Sequence, residues 1–219
     1  MKTQTHNILL KIYSSLYNYF GPLNWWPGDT PFEIMVGAIL TQNTSWNNAE
    51  KAINNLKKEN LLDPRKLYGI NQKELAQLVR PSGYYNIKAK RLKNFVNLFI
   101  NDFEGSAEEM FSGDVRELRR KLLKVNGIGP ETADSILLYA GKKAFFVVDA
   151  YTKRIFSRHK LISKDFTYYQ IQEFFNQGLD RDVELFNEFH AQIVMLGKTI
   201  CTSKNPDCTK CPIAFLNSE

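Results

Sequence analysis

Residues 122–149 read LLKVNGIGPETADSILLYAGKKAFFVVD, and this stretch decides the fold. Helical spacing of apolar residues flanks Val125-Asn126-Gly127-Ile128-Gly129-Pro130, which reads as a tight turn between two helices. Glycines at 127 and 129 permit positive φ and let a ligand approach the amides with no Cβ in the way. Pro130 suits the first position of a new helix, where its missing N–H costs nothing. The amides of that helix start point outward, with the positive end of the helix dipole behind them, and suit a phosphate. Phe145-Phe146-Val147-Val148 is too apolar to face water, so a buried run is predicted there, carrying Asp149 to its edge. A phosphate grip followed by a lone acid is an arrangement suited to chemistry on a nucleic acid.

At 219 residues the chain can form one large domain or two small ones. Hydrophobic residues at 43% and aromatic residues at 13% supply a core. The net charge of +6 fits a polyanionic partner, although many cytosolic proteins are equally basic. The first twenty residues are amphipathic, with neither an uninterrupted apolar region nor a small-residue cleavage site, so no secretory signal is expected. No apolar run approaches the ~20 residues needed to span a bilayer, so no membrane partner is expected. All three cysteines follow residue 200. That placement argues against a disulfide framework and for a local metal device in a reducing cytoplasm.

The rest of the chain reads as helix. Helices are predicted over Ile8 to Phe20, Asn48 to Lys58, Asn71 to Val79, Asn86 to Phe103 and Val115 to Lys124, then Glu131 to Tyr139. Ala150 to His159, Tyr168 to Gln177 and Val183 to Lys198 follow. Thr30-Pro31-Phe32-Glu33 has the spacing of a capping box and opens a helix with Phe32, Met35, Val36, Ile39 and Leu40 on one face. Leu62-Asp63-Pro64 is expected to start a short connector. No convincing alternating strand appears.

Several of these segments resemble, in order, the helix–hairpin–helix DNA glycosylases of the endonuclease III superfamily. They are LLKVNGIGPETADSILLYAG with VVDAYTKRIFSRH, PFEIMVGAILTQNTSW, and RPSGYYNIKAKRL. The resemblance runs from about Asn24 to Cys211. It implies an all-α fold with two helical subdomains and a DNA-binding cleft between them. Residues 1–29 with 137–219 form the subdomain of terminal helices and cysteine loop, and residues 30–136 form a six-helix subdomain ending in the hairpin. Asp149 is expected to face Gln42 across the cleft. The implied partner is double-stranded DNA containing a damaged base, met by a monomer in the cytoplasm, nucleoid-associated in a prokaryote.

The resemblance also implies residue roles. Asp149, in the family's V-D position, is the catalytic acid: its carboxylate steadies the sugar as the base leaves and orients or deprotonates water. A plain N-cap for the helix that follows is the structural alternative. Where strand-cleaving members carry a lysine, two residues past the hairpin's last glycine, this chain has Glu131. A carboxylate cannot form an imine, so a monofunctional enzyme is expected, with Glu131 either lining the base pocket or serving as a favourable first-turn acid. Lys124, Gly127, Ile128 and Gly129 form the phosphate-binding hairpin. Gln42 and Asn43 are the candidates to enter the duplex and contact the widowed base.

Trp25, Trp26 and Trp46 look like the aromatic set of the 3-methyladenine DNA glycosylase III branch, whose rings stack on a methylated purine. Such a base is cationic and attracted by π faces. Aromatic clusters also serve as plain core. Gln192 stands where that branch has a carbamylated lysine in the pocket, a modification glutamine cannot carry. Cys201, Cys208 and Cys211 match three of four ligands of the family's C-x6-C-x2-C-x5-C loop for a 4Fe-4S cluster, and the fourth position is Asn217. A cluster with another fourth ligand, a zinc ion or a loop without metal all remain open. In a cluster-bearing loop, Lys204 and Lys210 would face the DNA backbone. The expected function is hydrolytic removal of an alkylated purine in base excision repair. The rivals are a glycosylase for oxidised pyrimidines or mismatched thymine or uracil, and a non-catalytic damage binder.

Overall fold

The computed structural model describes residues 2–25 and 28–217. Among them the protein is all-α, with no strand. In chain order the helices are α1 (Lys2–Phe20), α2 (Pro31–Leu40), α3 (Trp46–Lys58), α4 (Pro64–Gly69), α5 (Gln72–Leu78) and α6 (Tyr85–Phe103). Then come α7 (Ala107–Ser112), α8 (Val115–Lys124), α9 (Pro130–Ser135), α10 (Ala150–Arg158), α11 (Tyr168–Gly178) and α12 (Val183–Thr199). A π turn over Ile136–Ala140 extends α9. No described helix is long and apolar enough to cross a membrane.

Side-chain caps set most helix starts. Thr30, Asp63, Asn71, Ser106, Asp114, Asp149, Thr167 and Asp182 each precede a helix and accept a hydrogen bond from a backbone N–H inside its first turn. At Thr30 only half of the expected box forms, because the Glu33 carboxylate turns to Lys57 Nζ at 2.7 Å. The reciprocal box forms at Thr167 and Gln170. The connector expected after Leu62 is the helix α4, started by Asp63 and Pro64. Helix α1 begins at Lys2 rather than Ile8, over polar residues that carry no periodic signal.

The chain forms two compact units, Met1–Trp25 with Ala144–Glu219, and Trp26–Lys143. The break falls later than 136/137 because the π turn and the bond from Lys143 N to Leu137 O (2.9 Å) continue the hairpin's second helix. In the unit of residues 26–143, α4 and α7, each of six residues, add to the six helices expected. Helix α2 is its centre, with Phe32, Ile34, Met35, Val36, Ile39 and Leu40 all buried. It packs on α3, α6, α9 and the π turn. The Phe32 ring stacks on Phe99 at 5.5 Å, and Phe99 on Phe95 at 5.8 Å. Each such ring taken from water is worth about 1.5–3 kcal/mol.

The hairpin joins α8 to α9. Gly127 has φ +100°, and a Cβ there would lie 2.2 Å from Arg91 Cγ, so only glycine fits. Gly129 does not share the expected positive φ: it is extended (φ −93°, ψ 179°), with nothing within 4 Å of an added Cβ. Arg119 on α8 makes a paired bond to Asp134 on α9, Nε to Oδ1 at 2.6 Å and Nη2 to Oδ2 at 2.9 Å. Asp134 is wholly buried, so this ion pair clamps the hairpin's helices together from inside.

In the other unit, α1 lies against α11 and α12 through buried Leu9, Ile12 and Leu16. Of the apolar run before Asp149, Phe146, Val147 and Val148 are buried as expected, and Phe145 is half-buried. Phe146 stacks on Phe175 at 3.8 Å and meets Phe186 edge-on at 5.3 Å. It is not a strand, and one of its carbonyls is taken by a side chain: Gln172 Nε2 donates to Phe146 O at 2.8 Å.

Candidate functional site

Asp149 leaves the buried run in extended conformation and caps α10. Its Oδ1 accepts from Thr152 N at 2.7 Å and from Thr152 Oγ1 at 2.9 Å. Its Oδ2 lies 3.6 Å from His190 Nε2 on α12. The carboxylate side chain is 11% exposed. Burial pushes its pKa up, but His190 and the two Thr152 donors outweigh burial and hold it below the ordinary carboxylate value. Capping and a charged, poised carboxylate therefore coexist in one residue. His190 was not singled out from sequence. It is one of three histidines in the chain, in the middle of an apolar helix face, and that position was the available signal.

Two further candidates for the base pocket, Gln192 and Trp25, fall in the same unit. Gln192 is fully buried and donates from Nε2 to Gly21 O at 2.8 Å and Glu188 Oε1 at 2.5 Å. Glu188 in turn accepts from the amides of Leu23 (2.9 Å) and Asn24 (3.3 Å). This network fastens the segment after α1 onto α12 and so sets the place of half-buried Trp25. Lys198 Nζ sits 5.2 Å from the centre of the Trp25 ring. Trp26 lies outside the described residues.

The other candidates belong to the second unit. Trp46 opens α3, half-buried, with its ring at van der Waals distance from where a Gly37 Cβ would stand. Glu131 and Lys124 are exposed, and Ile128 is buried. Gln42 Nε2 donates to Gly127 O at 2.9 Å and to Thr132 Oγ1 at 2.8 Å, and Arg91 donates to its Oε1. Asn43 is exposed and left-handed, with φ +52°.

The cysteine loop is built on α10. Arg154 donates to Gly197 O and Cys201 O at 2.8 and 3.0 Å. Arg158 donates to Cys201 Sγ at 3.3 Å and to the carbonyls of Thr202 and Ser203 at 2.6 and 2.8 Å. Cys201, Cys208 and Cys211 line one cavity of about 190 Å³ with Arg158, His159 and Asp207. Burial pushes the Cys211 thiol pKa up. Three sulfurs on one cavity, one of them facing a guanidinium, fit a thiolate-held group. Among the described residues no three side chains converge as ligands of a single ion must. Lys204 is exposed, and Lys210 pairs with Asp207 at 2.9 Å.

A glycine-elbowed helix pair is followed along the chain by a capping carboxylate, in the order that the resemblance to helix–hairpin–helix DNA glycosylases implies. The chain belongs to the HhH-GPD superfamily of base excision DNA repair proteins, whose family model matches residues 36–181. A protein of Methanocaldococcus jannaschii provisionally named a DNA repair glycosylase is 49% identical over 215 residues, 97% of each chain. The Helicobacter pylori 3-methyladenine DNA glycosylase, solved with 1,N6-ethenoadenine, is 33% identical with a TM-score of 0.75, over 89% of this chain and 97% of that one. An endonuclease III structure solved in a non-covalent DNA complex shares the fold, with a TM-score of 0.82 at 19% identity over 97% of this chain and 94% of that one.

Proposed function

We propose that this glycosylase is monofunctional and removes an alkylated purine, such as 3-methyladenine, from double-stranded DNA. Asp149 carries the reading: a carboxylate held ionised at a helix N-cap, just past the buried run that follows the hairpin. As the C1′–N bond breaks, its electron pair leaves with the base and the sugar becomes an oxocarbenium ion. A fixed negative group beside that cation lowers the barrier. Water then adds to C1′ and its proton passes to the carboxylate or to solvent, leaving an abasic site. Oδ1 is spent on Thr152, so Oδ2 is the oxygen that meets sugar or water.

Glu131 supports the monofunctional part, since no amine stands at that position to attack C1′. The H. pylori relative, named for 3-methyladenine and solved with 1,N6-ethenoadenine, supports the modified-purine part. A methylated purine is cationic and leaves readily, so Trp25 and Trp46, with Trp26, serve as stacking surfaces and Glu131 as an attracting charge. Gln192 acts through the Gly21–Trp25 segment it fastens. The exposed amides at Gly129 grip a backbone phosphate, and Lys124 adds charge beside them.

A panel of single-lesion duplexes tests this. Alkylated adenine is expected to be released, with strand breakage only after alkali, and borohydride is expected to trap no protein–DNA adduct. A trapped adduct overturns the monofunctional reading. Release of thymine glycol, uracil or mispaired thymine in place of alkylpurine overturns the substrate.

We further infer that Cys201, Cys208 and Cys211 hold an iron–sulfur cluster as three of its ligands. Bound, it would supply a rigid cross-link of the loop, with Arg158 donating to the Cys201 sulfur. Protein purified without oxygen is expected to carry iron and acid-labile sulfide in equal amounts, and Cys208→Ala to lose both. Zinc in their place overturns the cluster.

A further inference from the structure

Among the described residues no strand borders the run that leads to Asp149, yet its backbone is bonded at Phe146 and at Val148. Both partners are side chains of α11. Gln172 Nε2 donates to Phe146 O at 2.8 Å, and Val148 N donates to Tyr168 Oη at 3.5 Å. Tyr168 and Gln172 are four residues apart, so they stand on consecutive turns of one helix face. Phe146 and Val148 are two apart, and in an extended chain such residues turn the same edge outward. One donor and one acceptor on α11 thus do for this run what a neighbouring strand does in a sheet. Phe175, three residues beyond Gln172, adds its ring to the same grip, stacked on Phe146 at 3.8 Å.

The downstream side of Asp149 is fixed differently. Thr152 meets Oδ1, and Lys153 N donates to the Asp149 carbonyl at 3.1 Å. Both belong to α10, which Asp149 caps, so these bonds set the carboxylate relative to that helix alone. The bond from Gln172 spans 26 positions and ties the run to a different helix. Gln172 and Phe146 are both buried, and a buried carbonyl that loses its donor is costly, so sliding or turning the run away from α11 is opposed.

We propose that Gln172 and Tyr168 are positioning residues for base release: through the backbone of Phe146 and Val148 they hold the Asp149 carboxylate at its place beside His190, without touching substrate. The proposal rests on the reading of Asp149 as the carboxylate that meets the sugar. A misplacement of about 1 Å, caused far from the chemistry, can cost about 10²-fold in rate.

The test is single-turnover release of an alkylated base by the full chain, over a range of protein concentrations and well below the melting temperature of each variant. Gln172→Met keeps the length of the side chain and removes the donor. It is expected to lower the rate at saturation by about 10²-fold. The protein concentration for half the maximal rate, and the affinity for undamaged duplex by anisotropy, are expected to stay within about twofold of the parent. Tyr168→Phe removes a single oxygen and so keeps the test open if Gln172→Met fails to fold. Its saturating rate is expected to fall by about tenfold, since the 3.5 Å bond is the weaker of the two. A folded variant of either kind that works at the parent rate, while Asp149→Asn is slow, overturns the positioning role and leaves the glycosylase reading intact. A variant whose loss lies in duplex affinity and vanishes at saturation overturns it too. Asp149→Asn at the parent rate overturns the reading of that carboxylate, and this proposal with it.

Discussion

Asp149→Asn is expected to slow base release by about 10²–10³-fold while affinity for undamaged duplex stays within about twofold. The substitution is clean because asparagine caps a helix as well as aspartate does. The Thr152 N–H keeps its acceptor, and only the charge is lost. Single-turnover release of an alkylated base measures it. An Asp149→Asn protein that retained the parent rate would assign the carboxylate to capping alone. The pH profile supplies a second arm of the same prediction. His190 helps hold the Asp149 pKa below its ordinary value, so the carboxylate stays ionised as pH falls and the rate drops only as pH passes through that lowered pKa. His190→Gln removes part of that hold, so the acidic limb is expected to move to higher pH. An unmoved limb would show that Thr152 alone sets the charge.

Arg119→Met is expected to cost about 3–5 kcal/mol of stability, read by urea denaturation. The reason is what it strands. Asp134 has no exposure at all, and removing the guanidinium leaves a carboxylate sealed between α8 and α9. The double variant Arg119→Met with Asp134→Leu is expected to recover much of that loss, since a buried pair exchanged for apolar side chains of similar size is often near neutral. A double variant no more stable than the single one would mean that packing around the methionine, not the orphaned charge, is at fault.

Much of the fold was legible because its signals are local. Thr30 announces a helix start in its own side chain, and it acts within three residues. Gly127 was legible as a special turn position, and the structure gives the cause in the Arg91 side chain pressed against it. The positive φ assigned to Gly129 was not needed, since proline at 130 starts its helix from an extended residue. What stayed hidden depends on distant partners. Gln42 meets residues 49 and 85 positions away, and His190 meets Asp149 from another helix. Periodicity and spacing place such residues on a face, but only the packed helices decide which neighbour each side chain finds. The π turn after α9 was missed likewise, because Ile136-Leu137-Leu138-Tyr139-Ala140 has the composition of ordinary helix.

The unit that holds Asp149 is assembled from both ends of the sequence, with residues 26–143 threaded between them. Helix α1 is therefore translated before residues 26–143, and α11 and α12, on which it rests, after them. Until then Leu9, Ile12 and Leu16 have no partner to cover them. On the ribosome the hairpin unit can settle first, and the unit that holds Asp149 closes only once α12 has followed it.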